Sequence, residues 1–135
     1  MLNKNVSEIL VPLKDFKTVK SDDFFHDAIE SLNFNHWGGV FIVDKTGKLE
    51  GIFTDGDARR VLTKNQNPIA MLNATPITNF MTANPKVIKP ETSIRDALKL
   101  MNDKSILVMP VVDGQNKLVG LLHLQHAVKH LLNNL

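Results

Sequence analysis

A mixed α+β fold (α/β in looser usage), made of one β-α-β-β-α unit used twice, is what this 135-residue sequence predicts. Three observations carry the expectation. Lys17, Lys20, Asp27, Ala28, Val43, Asp44, Lys48, Leu49, Gly51 and Ala58 recur at Lys86, Lys89, Asp96, Ala97, Val112, Asp113, Lys117, Leu118, Gly120 and Ala127, every pair 69 residues apart. Each copy holds one stretch of helical periodicity and two near-continuous apolar runs around a turn. The offset is constant through helix, strand and turn alike, the mark of a duplicated supersecondary unit whose copies bury a shared face. A ligand is therefore expected between the halves, and neither half is expected to be stable alone.

In the second copy, Val87 and Ile88 form a short apolar strand ended by Pro90. Thr92 or Ser93 can cap a helix whose apolar positions Ile94, Ala97, Leu98 and Met101 follow i, i+3, i+4, i+7 spacing. The runs Ile106–Val112 and Lys117–Leu122, parted by Gly114, Gln115 and Asn116, are rich in branched side chains and predict two strands buried on both faces. A helix from Gln125 to Leu132 closes the copy. In the first copy, Thr18 and Val19 supply the short strand and Ser21 caps a helix carrying Phe25, Ala28, Ile29 and Leu32. Val40–Val43 and Leu49–Phe53 form the strand pair around Asp44–Lys48, and a helix runs from Gly56 to Leu62. Thr63–Pro76 is polar, contains two prolines and has only Ile69, Met71 and Leu72 able to dock, so it reads as a linker with one helical turn. Residues 1–68 are thus assigned to the first copy and the start of the linker, and 69–135 to the rest of the linker and the second copy, together one domain.

Composition narrows the class of function. With 43% hydrophobic and 22% charged residues the balance is that of a soluble globular chain. No apolar run reaches the ~18 residues that span a bilayer. Met1–Val11 lacks the order of a secretory signal, and the absence of cysteine excludes disulfides and thiolate metal sites, so a cytoplasmic location is expected. The net charge of +2 is spread along the chain without a basic stripe carrying aromatics, and neither nucleic acid nor membrane is expected as a partner.

The chemistry concentrates in Gly51-Ile52-Phe53-Thr54-Asp55-Gly56-Asp57-Ala58-Arg59-Arg60. A strand ends at Phe53, Asp55 can cap the next helix, and Thr54 stands at the helix entrance, where free N–H groups and the helix dipole attract a phosphate. Asp57, one turn in, can accept hydrogen bonds from a ribose diol. The alternative is a turn with a cap and nothing more. The 69-residue offset puts His123 and His126 at the positions of Thr54 and Asp57. Imidazoles titrating near ~6.5 can hold an anion in a pH-sensitive way. His126 and His130 share a helical face at a spacing zinc sites use, but without a third ligand nearby in sequence no metal is expected. Gly38 and Gly39 either let a flat base approach the backbone or relieve crowding beside Trp37. Arg59 and Arg60 can reach a diphosphate or a carboxylated sugar, contact a further domain, or form a solvated face. Catalysis is not expected: cysteine and tyrosine are absent and no Ser-His-Asp order occurs at a strand end.

The repeated unit, with Val-Val-Asp followed by Lys-Leu-Val-Gly and with Gly-Ile-Phe-Thr-Asp-Gly-Asp, resembles a tandem pair of CBS (cystathionine β-synthase) motifs over essentially the whole chain. Glu50–Arg60 and Gly120–Leu124 are similar to the C-terminal CBS pair of bacterial arabinose 5-phosphate isomerases. There a sugar-isomerase domain precedes the pair and feeds synthesis of the lipopolysaccharide sugar Kdo. The resemblance implies two motifs packed through their sheets about a pseudo-twofold axis, a homodimer, and a regulatory rather than catalytic role. It implies ribose on Asp57, sugar or phosphate oxygens on Thr54, and a base pocket lined by Thr18, Val19, Gly39 and Val40. His123 fits the isomerase pattern Gly-x-x-His-x-His-Asp, whereas Gln125 and His126 depart from it, so ribose binding at the second motif is expected to be weaker. The expected ligand is CMP-Kdo, with adenine nucleotides next, and the expected partner is a sugar-isomerase catalytic domain in cis or in trans. The competing expectation is a structural dimerisation module with empty clefts.

Overall fold

The two amphipathic stretches fold as α1 (Phe25–Asn35) and α4 (Ile94–Lys104), and each buries the stripe that predicted it: Phe25, Ala28 and Leu32 in one, Ile94, Ala97 and Met101 in the other. The structure is a computed structural model and describes residues 2–135. Ser93 caps α4, its Oγ accepting the Asp96 N–H at 3.1 Å. Ser21 does not cap α1. A bridge to Pro76 holds Phe24 extended at the N-cap position, and the Asp27 carboxylate accepts the Phe24 N–H at 2.9 Å. Both helices end on a left-handed residue, His36 (φ 60°) and Ser105 (φ 54°).

One four-stranded sheet runs in the order β2 (Val19–Lys20), β3 (Gly39–Val43), β4 (Leu49–Thr54), β5 (Thr82–Ala83), with β2 parallel to β3 and the other pairs antiparallel. A three-stranded sheet runs β1 (Val11–Pro12), β7 (Leu118–His123), β6 (Val108–Val112). Beyond β6, Ile88 makes a single parallel bridge to Val111, the counterpart of Val19 beside Ile42. Duplication extends to register: Gly39 faces Thr54 as Val108 faces His123, and the register shifts between Ile42 and Val43 and again between Val111 and Val112. β3 is wholly buried and β6 nearly so, as expected for strands covered on both faces. β4 instead alternates buried and half-buried residues, so one of its faces is only partly covered. The hairpin turns match as well. Asp44 Oδ1 accepts the Thr46 and Lys48 N–H groups at 2.8 and 3.0 Å, and Asp113 Oδ1 accepts those of Gln115 and Lys117 at 2.8 and 3.0 Å. The Thr46 hydroxyl holds the Asp44 carboxyl below its ordinary value, and the Lys117 N–H does most of the same at Asp113.

The closing helices are α2 (Asp55–Lys64) and α5 (Leu124–Asn133), each starting one residue before its expected place. The segment expected to be a linker is built into the fold. It forms α3 (Ile69–Asn73), the helical turn expected there, and is followed by a 3-10 turn at Ile77–Asn79 and by β5. Leu72 and Ile77 join the core of Val19, Phe25, Ala28, Val40 and Phe53, whereas Ile69 and Met71 are 58% and 56% exposed. Short apolar helices dock one face only, and that face carries Leu72. The residues ahead of the first copy serve the second copy in the same way: Val6 and Ile9 pack with Ile94, Met101 and Met109, and β1 pairs with β7. The compact units are consequently cut differently from the repeat. One is Phe16–Pro85; the other joins the residues up to Asp15 to Lys86–Leu135. The edge strands come so close that a Cβ on Gly51 would stand 2.9 Å from the Thr82 carbonyl oxygen, and one on Gly120 would stand 2.5 Å from that of Val11. Any larger residue at either place would push the edge away.

Candidate functional site

β4 ends at Thr54 and α2 begins at Asp55, so the cap is Thr54 rather than Asp55. The reason is the pattern that follows. Thr54 Oγ1 accepts the Asp57 N–H at 3.2 Å, and Asp57 Oδ2 accepts the Thr54 N–H at 2.9 Å and its hydroxyl at 3.0 Å. This is a reciprocal capping box whose second member is a carboxylate at the third helical residue. The Asp57 Oδ1 atom pairs with the Arg60 guanidinium; the Asp57 side chain is 12% exposed and that of Arg60 60%. An ionised carboxylate only accepts, so the Thr54 hydroxyl spends its proton on Asp57. What Thr54 Oγ1 retains is a lone pair able to accept from a ligand hydroxyl.

The sheet sets Gly39 directly across from Thr54. Trp37 packs over Gly39, leaving no room for a Cβ there, and tilts on Phe41 with ring centroids 5.1 Å apart. Relief of crowding is therefore the local reason for this glycine. The Trp37 Nε1–H is buried with no hydrogen-bond partner among the described residues. Asn35, which the sequence reading passed over, ties the strip together. It accepts the Lys17 N–H at 2.7 Å and donates to the Lys17 and Gly39 carbonyls at 2.9 and 3.0 Å. The chain entering Thr18 is thereby locked to the start of β3. An amide on the last residue of a helix, just before a Gly pair, was the available signal. Val19 and Val40 are 3% and 0% exposed in the core, so only their main chain can meet a ligand. Thr18, Val19, Gly39, Val40, Thr54 and Asp57 all belong to the Phe16–Pro85 unit, with Gly39 and Thr54 in direct register.

His123 occupies the matching place in the other unit, at the end of β7 and facing Val108. Its Nδ1 accepts the Gln125 N–H at 3.2 Å, which leaves the proton of the neutral ring on Nε2. Burial, and then the charge of His126, hold its pKa below the ordinary 6.5, so the ring presents a neutral N–H donor rather than a cation at neutral pH. His126 is exposed and no carboxylate stands in the place of Asp57. Among the described residues no group of three or more His, Asp or Glu side chains is placed to hold a metal ion.

A family model of the CBS domain matches residues 6–64 and again 77–133. The chain belongs to the CBS domain family. Its fold is that of CBS-pair proteins: the crystal structure of CBSX2 from Arabidopsis thaliana in complex with AMP superposes with a TM-score of 0.84 at 26% identity, over 97% of this chain and 98% of that one. Arabinose 5-phosphate isomerase KdsD of Pseudomonas aeruginosa is 35% identical over 102 residues, 76% of this chain and 30% of the isomerase. A protein of Chlamydia trachomatis is 34% identical over 129 residues, 93% of this chain and 38% of that protein. The CBS pair thus spans less than two fifths of the length of these curated relatives. It is a regulatory domain rather than a catalytic one. No helix among the described residues is long and apolar enough to cross a membrane.

Proposed function

We propose that this CBS pair senses a nucleotide or nucleotide sugar through Thr54 and Asp57 and passes its occupancy to an arabinose 5-phosphate isomerase domain, in cis or in trans. The observation that carries this is the Asp57 carboxylate, held at the strand end by the Thr54 N–H and hydroxyl, opposite Gly39. Such a carboxylate is preorganised to accept from a sugar diol. Thr18, Val19, Gly39 and Val40 offer main-chain groups to a base, and His123 and His126 form a second, weaker site for an acceptor group. The likeness to KdsD supports the isomerase connection, and the AMP in CBSX2 supports a nucleotide as ligand. CMP-Kdo, the activated sugar made from the isomerase product, fits a feedback signal; an adenine nucleotide fits the bound AMP of CBSX2. Two copies pair about a twofold axis, the commonest assembly of cytoplasmic proteins.

The test is the melting temperature of the chain against AMP, ADP, ATP, CMP and CMP-Kdo. A ligand at a hundredfold excess over its dissociation constant stabilises by ~2.7 kcal/mol. A rise with CMP-Kdo alone, abolished in Asp57→Ala, supports feedback on the isomerase. A rise with adenine nucleotides, equally abolished, makes the module an adenylate sensor. A flat panel overturns ligand sensing in favour of a dimerisation module.

A further inference from the structure

We infer that Arg60 is the specificity-determining residue of this site, making it select phosphorylated nucleosides over uncharged ones; the inference rests on Asp57 being the diol ligand. The carboxylate of Asp57 has about four lone-pair positions. Thr54 takes two of them on Oδ2, and the Arg60 guanidinium takes one on Oδ1. A diol therefore finds room for one hydrogen bond and gains its second only by displacing Arg60. That exchange is unfavourable for a plain nucleoside, because the guanidinium loses an ionic partner and meets nothing in return.

A phosphate changes the sign. The Thr54 hydroxyl proton is committed to Asp57, so Thr54 cannot donate to a phosphate oxygen while the capping box holds. The donors available beside it are those of Arg60. Its Nη1 and Nη2 lie 3.5 and 3.8 Å from where a Gly56 Cβ would stand, and Thr54 Oγ1 lies 3.7 Å from the same point. Gly56 has no side chain, which leaves the guanidinium folded over the first turn of α2, beside the hydroxyl and the carboxylate at once. Displaced from Asp57 by the diol, it is already within reach of an anionic group carried by the same ligand, and the planar fork suits phosphate. Lys129, the residue at the offset position in the second copy, stands among His126 and His130 without a carboxylate at the place of Asp57, so this exchange belongs to the first copy alone.

The experiment measures dissociation constants of AMP, adenosine, CMP and cytidine for the wild type, Arg60→Ala and Arg60→Lys. Arg60 is exposed, and its removal leaves the core untouched. The expected result has opposite signs: in Arg60→Ala the monophosphate that the wild type binds weakens about tenfold or more, its nucleoside tightens, and Arg60→Lys restores part of the preference. Equal weakening of monophosphate and nucleoside in Arg60→Ala would reduce Arg60 to a brace for Asp57 and overturn the inference while the diol site stands. Failure of all four compounds to bind the wild type overturns Arg60 selectivity, and failure of CMP-Kdo as well overturns the site itself.

Discussion

At the end of β4, Thr54 and Asp57 close a two-way capping box and Asp57 adds Arg60; at the end of β7, His123 caps the N–H of Gln125 and His126 stands in solvent. The backbone around the two places is nearly the same. Asp55 donates its N–H to the Gly38 carbonyl as Leu124 does to that of Leu107, both at 2.9 Å. Cross-strand register and helix limits repeat at the 69-residue offset. The lesson is that ladder hydrogen bonds and core packing keep a duplicated backbone in place, while the side chains at a strand end carry little of the core and are free to diverge. One junction presents a carboxylate acceptor and the other a neutral ring donor.

The largest expected contrast comes from the brace behind the junctions. Asn35→Ala removes three hydrogen bonds to Lys17 and Gly39 and is expected to cost ~2 kcal/mol, whereas the offset substitution Lys104→Ala, at an exposed helix end, is expected to stay within ~0.5 kcal/mol. Denaturant unfolding of both variants checks this, and similar losses would erase the asymmetry. Next comes Thr54→Ala, expected to cost ~1 kcal/mol because both members of the box lose a partner. Its melting temperature should fall further than that of His123→Ala, where one bond at 3.2 Å is lost. Transplanting the first chemistry onto the second junction is a smaller change. A carboxylate in His126→Asp can accept the His123 N–H, as Asp57 does for Thr54, with an expected gain of ~0.5 kcal/mol. The same variant replaces a charge that lowers the His123 pKa with one that raises it, which a proton NMR titration reads as an upward shift.

The smallest effect concerns pH. His123 in the folded chain binds its proton less readily than an ordinary histidine, so the unfolded chain is protonated first as pH falls. The stabilisation is complete above about 6.5 and is lost as pH drops from there through the lowered folded value. Melting temperatures from pH 8 to 5 should decline less steeply in His123→Asn than in the wild type; equal slopes would remove His123 as the cause.

Helix starts show how much was legible in the residues and why the rest was not. Ser93 was a recognisable cap because serine three residues ahead of an aspartate is a local pattern. Ser21 is a cap by residue type only, one turn too early and with Phe24 rather than an acid three residues on, and a bridge to Pro76, far along the chain, kept Phe24 out of the helix. Asp55 and Thr54 were equally good caps by type; the deciding contact was the return bond from Asp57. The candidate residues Thr54 and Asp57 were visible as a motif and Asn35 only as an amide at a helix end, while its partners and the guanidinium of Arg60 over Gly56 became visible only with side chains in place.

The sequence by itself determined the repeat, the helix and strand types, the hairpin turns and the family, because periodicity and turn chemistry act over a few residues and are written out in order. Only the tertiary structure decided that residues before Phe16 complete the second copy and that the supposed linker completes the first. Edge pairing such as Val11 with Leu121 or Ile52 with Thr82 is made by backbone groups common to all residues, over two positions, and leaves no pattern in the sequence that forms it.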